Sequence, residues 1–265
     1  MQSGYWQDFA TTDFAGLDPE TAIALLPVGA VEQHGPHLPL STDSTINAAV
    51  VARALPRVPE GLTVLALPML SIGDSVEHEA FPGTLTLEPE TAIALWTEIG
   101  ASVARAGLRK LAIFNSHGGQ TQVVDIVALR LRRRQGMLVA RASSFDFGVP
   151  DGLLPDDEIR HGIHGGAVET SMMLAIDPAS VRLEALADFV PLSRRMAEEN
   201  AVLGPEAPVG FGWMSQDLNP AGACGDATLA SAEIGERLLD HIADGLLALL
   251  DDMGRTPLTL FKDGP

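Results

Sequence analysis

Glu32, His34 and Asp43 fall in one short segment, Val31-Glu32-Gln33-His34-Gly35-Pro36-His37-Leu38-Pro39-Leu40-Ser41-Thr42-Asp43, directly after the apolar run Ala22 to Val28. Glu32 and His34 are two apart, so on an extended backbone they project to the same side. Asp43 sits where a helix begins, in Ser41-Thr42-Asp43 ahead of the apolar stretch Ala48 to Leu55. Two carboxylates and an imidazole at the exit of a buried strand form the oxygen and nitrogen donor set that a divalent cation takes. A turn with a helix cap and a core histidine would use the same residue types. The rest of the chain separates the two readings.

Three more segments carry chemistry-bearing residues. His117 lies in Asn115-Ser116-His117-Gly118-Gly119-Gln120, where the two glycines are expected to let the backbone turn tightly and approach a ligand. His164 and Glu169 flank a Gly-Gly pair in His161-Gly162-Ile163-His164-Gly165-Gly166-Ala167-Val168-Glu169-Thr170-Ser171, with Glu169 in the first turns of a helix. Glu77 and His78 precede Phe81-Pro82-Gly83-Thr84. Imidazoles together with three carboxylates suit a pair of borderline divalent ions, zinc or manganese with iron also admissible, one carboxylate bridging. Such a site activates water and polarises the carbonyl that water attacks. The carboxylate-rich, thiolate-free set argues against a closed structural zinc site. No Gly-x-Gly-x-x-Gly, Walker loop or Gly-x-Ser-x-Gly elbow is present, which disfavours nucleotide and acyl-serine chemistry.

The elements that must position these groups alternate strand and helix. Strands are expected at Ala22 to Val28, Leu62 to Pro68, Leu111 to Asn115 and Met137 to Phe145. Helices are expected near Thr45 to Leu55, Glu88 to Ala106, Thr121 to Gln135, Gly166 to Ile176 and Asp226 to Met253. Near-continuous apolar strands between helices imply an α/β fold with a mainly parallel sheet covered on both faces. Sites in such sheets form beyond the carboxyl ends of the strands, and two of the polar segments follow strands directly. The Pro- and Gly-rich stretch Leu203 to Gly225 reads as one long loop, and the tail Thr256 to Pro265 as a loose end of a single domain, 1–265.

Composition narrows the partners. The formal net charge is −18, which argues against a nucleic-acid partner, since phosphate neutralisation needs Lys and Arg, and disfavours an anionic membrane. The single Cys224 forms no intrachain disulfide and is expected to be a small buried group in a cytoplasmic protein. No basic, apolar leader and no membrane-spanning run is visible. The basic run Arg130 to Arg134 ends a helix and reads as a solvated face, while His37 and Met172-Met173 read as packing residues. His161 competes with His164 for the same chemistry, and Trp213 either covers a substrate or packs.

The strings VEQHGPHLPLSTD, EHEAFPGTLTL, FNSHGGQ, HGGAVETS and GDATLASAE, in this order over about residues 20 to 250, closely resemble the creatininase (creatinine amidohydrolase) superfamily. The resemblance implies a three-layer α/β/α fold, a homo-oligomer of hexameric type, and a two-metal site that hydrolyses amide C–N bonds of a small-molecule substrate through a hydroxide bridging the ions. It makes Glu32, Asp43 and His117 ligands of one ion and His34, Asp43 and Glu169 ligands of the other. His164 matches the histidine that contacts substrate and shuttles a proton; His78, Glu77, Gly118 and Trp213 are further candidates for substrate contact. The chain departs from creatininase proper at Gly119, where that enzyme carries a glutamate, and at Arg160, where a tryptophan is expected. Those departures point away from creatinine. Deformylases and peptidases that act on cofactor precursors are the alternative, as is a metal-binding relative without hydrolytic activity.

Overall fold

A computed structural model describes residues 2–206 and 208–262. The chain runs β1 (Gly4–Tyr5), β2 (Ala22–Val28), α1 (Thr42–Ala54), β3 (Thr63–Ala66), α2 (Pro89–Arg105), β4 (Lys110–Asn115), α3 (Thr121–Gln135) and β5 (Leu138–Ser143). It continues through α4 (Asp156–His161), α5 (Ala167–Ile176), β6 (Asp188–Phe189), α6 (Leu192–Glu199), α7 (Ser215–Leu218), β7 (Gly225–Asp226) and α8 (Ala232–Arg255). Strands β1 to β5 form a parallel sheet in the order β1-β3-β2-β4-β5, and β6 pairs antiparallel with β7.

Alternation along the strands divides the core in two. Ile23 and Leu25 of β2 with Ala112 and Phe114 of β4 face α1, α5 and α8. Ala24 and Leu26 with Leu111 and Ile113 face α2 and α3. This is the three-layer α/β/α fold, with the central strands β2 and β4 buried along their whole length and therefore largely apolar. Because β3 and β4 flank β2 on opposite sides, the strand order reverses at β2–β4, and a crevice opens beyond their carboxyl ends. Asn47 of α1 closes the base of that crevice: its Nδ2 donates to Val28 O at 3.2 Å and Phe114 O at 3.0 Å.

Several boundaries differ from the sequence reading for local reasons. Strand β5 stops at Ser143 because the Asp146 carboxylate accepts from Ser143 N at 2.7 Å and starts a tight turn. Helix α8 starts after Ser231, whose Oγ accepts from Ile234 N at 3.2 Å, while Asp226 belongs to β7 and caps a turn through Thr228 N. The long loop contains α7. The start of the tail is tied down, since buried Lys110 Nζ donates to the carbonyls of Glu20, Met253, Gly254 and Thr256; residues 263–265 lie outside the described residues. No helix among the described residues is long and apolar enough to cross a membrane.

Candidate metal centre

The crevice beyond β2 and β4 gathers Glu32, His34, Asp43, His117, His164 and Glu169, with Glu77 and His78 beside them. Glu32 and His34 leave β2 on extended chain, and Asp43 arrives on the first turn of α1. His117 follows β4, its backbone held at both ends by Asn115: Oδ1 accepts from His117 N at 3.0 Å and Nδ2 donates to His117 O at 2.6 Å. Ser116 Oγ donates to Asp43 O at 2.9 Å and locks α1 to the end of β4. Glu169 lies in the first turn of α5, and its Oε2 accepts from Gly165 N at 2.5 Å.

Backbone carbonyls fix which ring nitrogens face the centre, because a carbonyl only accepts. His34 Nδ1 donates to Glu32 O (3.1 Å), leaving Nε2 toward the carboxylates. His117 Nε2 donates to Asp74 O (2.9 Å), leaving Nδ1 toward Glu32 Oε1 at 3.1 Å. His164 Nε2 donates to Gln33 O (2.7 Å), leaving Nδ1 toward Glu32 Oε1 at 3.8 Å. Asp43 is divided between two sides, with Oδ1 3.3 Å from His34 Nε2 and Oδ2 3.6 Å from His117 Nδ1. Glu169 Oε1 is 3.8 Å from His34 Nε2.

The electrostatics are those of a site built around missing positive charge. Glu32, His34, Asp43 and His117 are buried, and both Glu32 oxygens, His34 Nε2 and Asp43 Oδ2 have no hydrogen-bond partner. Orphaned buried atoms of this kind are costly unless a cation satisfies them. Burial works against the Glu32 carboxylate, yet the His117, His78 and His34 imidazoles outweigh it and hold the group well below its ordinary range. Burial likewise opposes charge on His34, but Asp43 and Glu169 raise it to about 10; Glu32 raises His117 in the same way. Burial and the Glu32 charge push Asp43 up, and burial pushes Glu169 to about 7. His164, half-buried beside His34 and His78, is held well below the usual imidazole value by desolvation and by those two neighbouring rings. Among the described residues three donor groups are each close enough to surround an ion: His34, Asp43 and Glu169; Glu32, Glu77 and His117; and Glu32, His34 and His164.

Above the cluster lies a cavity of about 800 Å³, walled by apolar and aromatic side chains including Phe145, Ile159, Ile163, Phe211 and Trp213. His164, His78, Glu77 and Gly118 reach it. Trp213 stands half-buried in the wall, its Nε1 donating to Glu206 Oε1 at 3.0 Å. His161 is turned away, its Nδ1 2.9 Å from Ser193 Oγ, and His37 packs on Phe189 and pairs with Thr170 Oγ1. Arg160 is exposed, outside the cavity wall. Burial lifts the Cys224 thiol to about 12, and that residue's backbone instead clasps His164 through Cys224 N to His164 O at 2.6 Å.

Gln33 escaped the sequence reading. Its Oε1 accepts from Gly35 N (2.9 Å) and its Nε2 donates to Gly222 O (2.8 Å) and to His78 Nδ1 (2.7 Å). His78 therefore carries its proton on Nε2, aimed at Glu32 Oε1 3.5 Å away. The available signal was alternation: a polar residue between Glu32 and His34 must point away from the cluster and needs partners of its own. Glu158 was missed too; buried on α4, it accepts from Ala167 N (2.7 Å) and Asp226 N (2.8 Å) and braces the loop that carries His164.

Known proteins resemble this chain in sequence and fold. The creatininase family model, described as creatinine amidohydrolase, matches residues 7–250. The mycofactocin precursor peptide peptidase of Mycolicibacterium smegmatis is 32% identical over 92% of this chain and 93% of its own length. The creatinine amidohydrolase of Pseudomonas putida is 29% identical over 91% and 92%. A solved structure described as "Creatininase Mn" superposes with a TM-score of 0.76 at 26% identity, covering 96% of this chain and 100% of its own. The chain belongs to the creatininase family and is a hydrolase of amide-type C–N bonds.

Proposed function

We propose that the protein is a dinuclear metal-dependent amidohydrolase. Glu32, Asp43 and His117 would hold one divalent ion and His34, Asp43 and Glu169 the other, with Asp43 shared between them. The observation that carries this reading is the set of buried, unpartnered donor atoms of Glu32, His34 and Asp43 at the floor of the cavity. When bound, two such ions lower the pKa of a shared water and polarise the carbonyl it attacks; oxygen and imidazole donors suit zinc or manganese. His164 presents an unprotonated Nδ1 to the centre, fixed by its Nε2–H on Gln33 O, and is the group that takes a proton and returns it to the departing nitrogen. His78, with Nε2–H toward Glu32, reaches the cavity as a candidate substrate contact, and Gly118 and Trp213 line the approach.

The substrate reading that fits best is a peptide-type amide rather than a compact ring. The cavity of about 800 Å³ has far more room than a small cyclic amide fills, and its wall is largely apolar. The likeness to the mycofactocin precursor peptide peptidase points the same way.

Elemental analysis of purified wild type beside His117→Ala tests the centre, followed by assays on creatinine, formamides and short peptides. About two ions per chain, falling toward one in the variant with turnover lost, is the expected result. No metal in either protein after reconstitution overturns it.

A further inference from the structure

The two glycines after His117 are not equivalent. Neither adopts the left-handed backbone that demands glycine. A Cβ placed on Gly118 would meet nothing within 4 Å, whereas one placed on Gly119 would fall 1.7 Å from Glu77 Oε1, 2.6 Å from its Cδ and 2.7 Å from His117 Nε2. Glu77 reaches this spot from the short turn Val76–His78, and its carboxylate fills the volume that a side chain at 119 would occupy. A side chain at 119 and the Glu77 carboxylate thus compete for one volume, which Glu77 holds in this structure.

The carboxylate so admitted is an unspent acceptor. Glu77 Oε1 is buried without a hydrogen-bond partner, although His117 Nε2 is only 3.2 Å away, because that ring proton is directed at Asp74 O. His78 Nε2 is 3.8 Å from the same oxygen. Glu32, Glu77 and His117 also lie close enough together to surround one cation.

We propose that Glu77 is a positioning carboxylate of the His117 half of the centre, supplied across the gap that Gly119 leaves open, so that positions 77 and 119 form one interchangeable device. This rests on the dinuclear reading above. Outer carboxylates that orient a metal-binding histidine and its ion are worth roughly 10- to 100-fold in metal affinity.

The test measures zinc and manganese affinity by chelator competition, with thermal midpoints of the metal-stripped proteins alongside. Glu77→Ala should weaken the His117-half ion about 10- to 100-fold while the second ion stays. Glu77→Asp should recover part of the loss. Adding Gly119→Glu or Gly119→Asp to Glu77→Ala should restore affinity. In stripped protein, Gly119→Ala should lower the midpoint, and by less when Glu77 is already alanine. Unchanged affinity in Glu77→Ala, or failure of both swaps to improve on it, overturns the proposal. An equal midpoint drop in both backgrounds overturns the spatial exchange. Wild type that binds no ion defeats the dinuclear reading itself, and the midpoint cycle then still decides whether 77 and 119 share one space.

Discussion

At the level of single residues, the centre is organised by which nitrogen carries which proton. His34 and His117 are charged in metal-free protein because carboxylates surround them, so protons stand where cations belong. This sets a pH dependence. The folded state raises His34 from 6.5 to about 10, so its stabilising contribution is fully present below 6.5 and is lost as pH rises through about 10. Glu169, raised from 4.5 to about 7, has the same sign over its own range. Glu32 runs the other way: its depressed carboxyl stabilises above 4.5 and loses that contribution in acid. The urea midpoint of metal-stripped protein should therefore fall between pH 6 and pH 10, and added metal should remove most of the fall. A midpoint that is flat or rises with pH over that range contradicts the assignment. His164 is a different case, a neutral ring whose free Nδ1 faces the centre. His164→Ala should keep its metal and lose about 10²- to 10⁴-fold in turnover, and normal turnover would refute its proton role.

At the level of elements, the site depends on how closely α5 can approach α8, since α5 carries Glu169. Gly235 of α8 makes that approach possible: a Cβ there would sit 1.9 Å from Ser171 O, a backbone atom that cannot step aside. Gly235→Ala should cost about 1 to 3 kcal/mol in urea denaturation and reduce affinity for the ion between His34 and Glu169. An alanine variant of wild-type stability would show that the helices slide freely. Strands β2 to β5 and the polar residues that follow β2 and β4 were legible in the sequence for a physical reason. The central strands β2 and β4, buried on both faces, are near-continuous apolar runs; Glu32 and His34 follow the first and His117 the second within a few residues, and Asp43 opens α1. What was illegible involves partners distant along the chain. Gln33 means little until Gly222 and His78 close around it, and Gly119 reads as a flexible turn until Glu77 is seen filling its side. Strand β1 is two residues long and has no apolar run to announce it; β3 alone makes it a strand.

For the molecule as a whole, charge and cavity act together on what can reach the centre. Acidic residues outnumber basic ones by 35 to 17, giving the net −18. Among the described residues no lysine or arginine lines the cavity, while Glu77 and Glu206 stand in its wall beyond the carboxylates assigned to the ions. Bound ions would offset Glu32, Asp43 and Glu169, leaving these two carboxylates and the chain's net charge to make the approach negative. A field of one sign focused by an apolar cleft changes encounter rates and is screened by salt over about 8 to 10 Å. Among short amides matched except for one charge near the scissile bond, the neutral and cationic members should have the higher kcat/KM, by about ten-fold over the anionic one at low salt. Raising ionic strength should then lift kcat/KM for the anionic member and lower it for the cationic one, narrowing the gap. If the anionic amide is turned over best at low salt, the exposed face of the ions rather than the protein's own charge governs entry, and a basic residue outside the cavity wall must guide the substrate in.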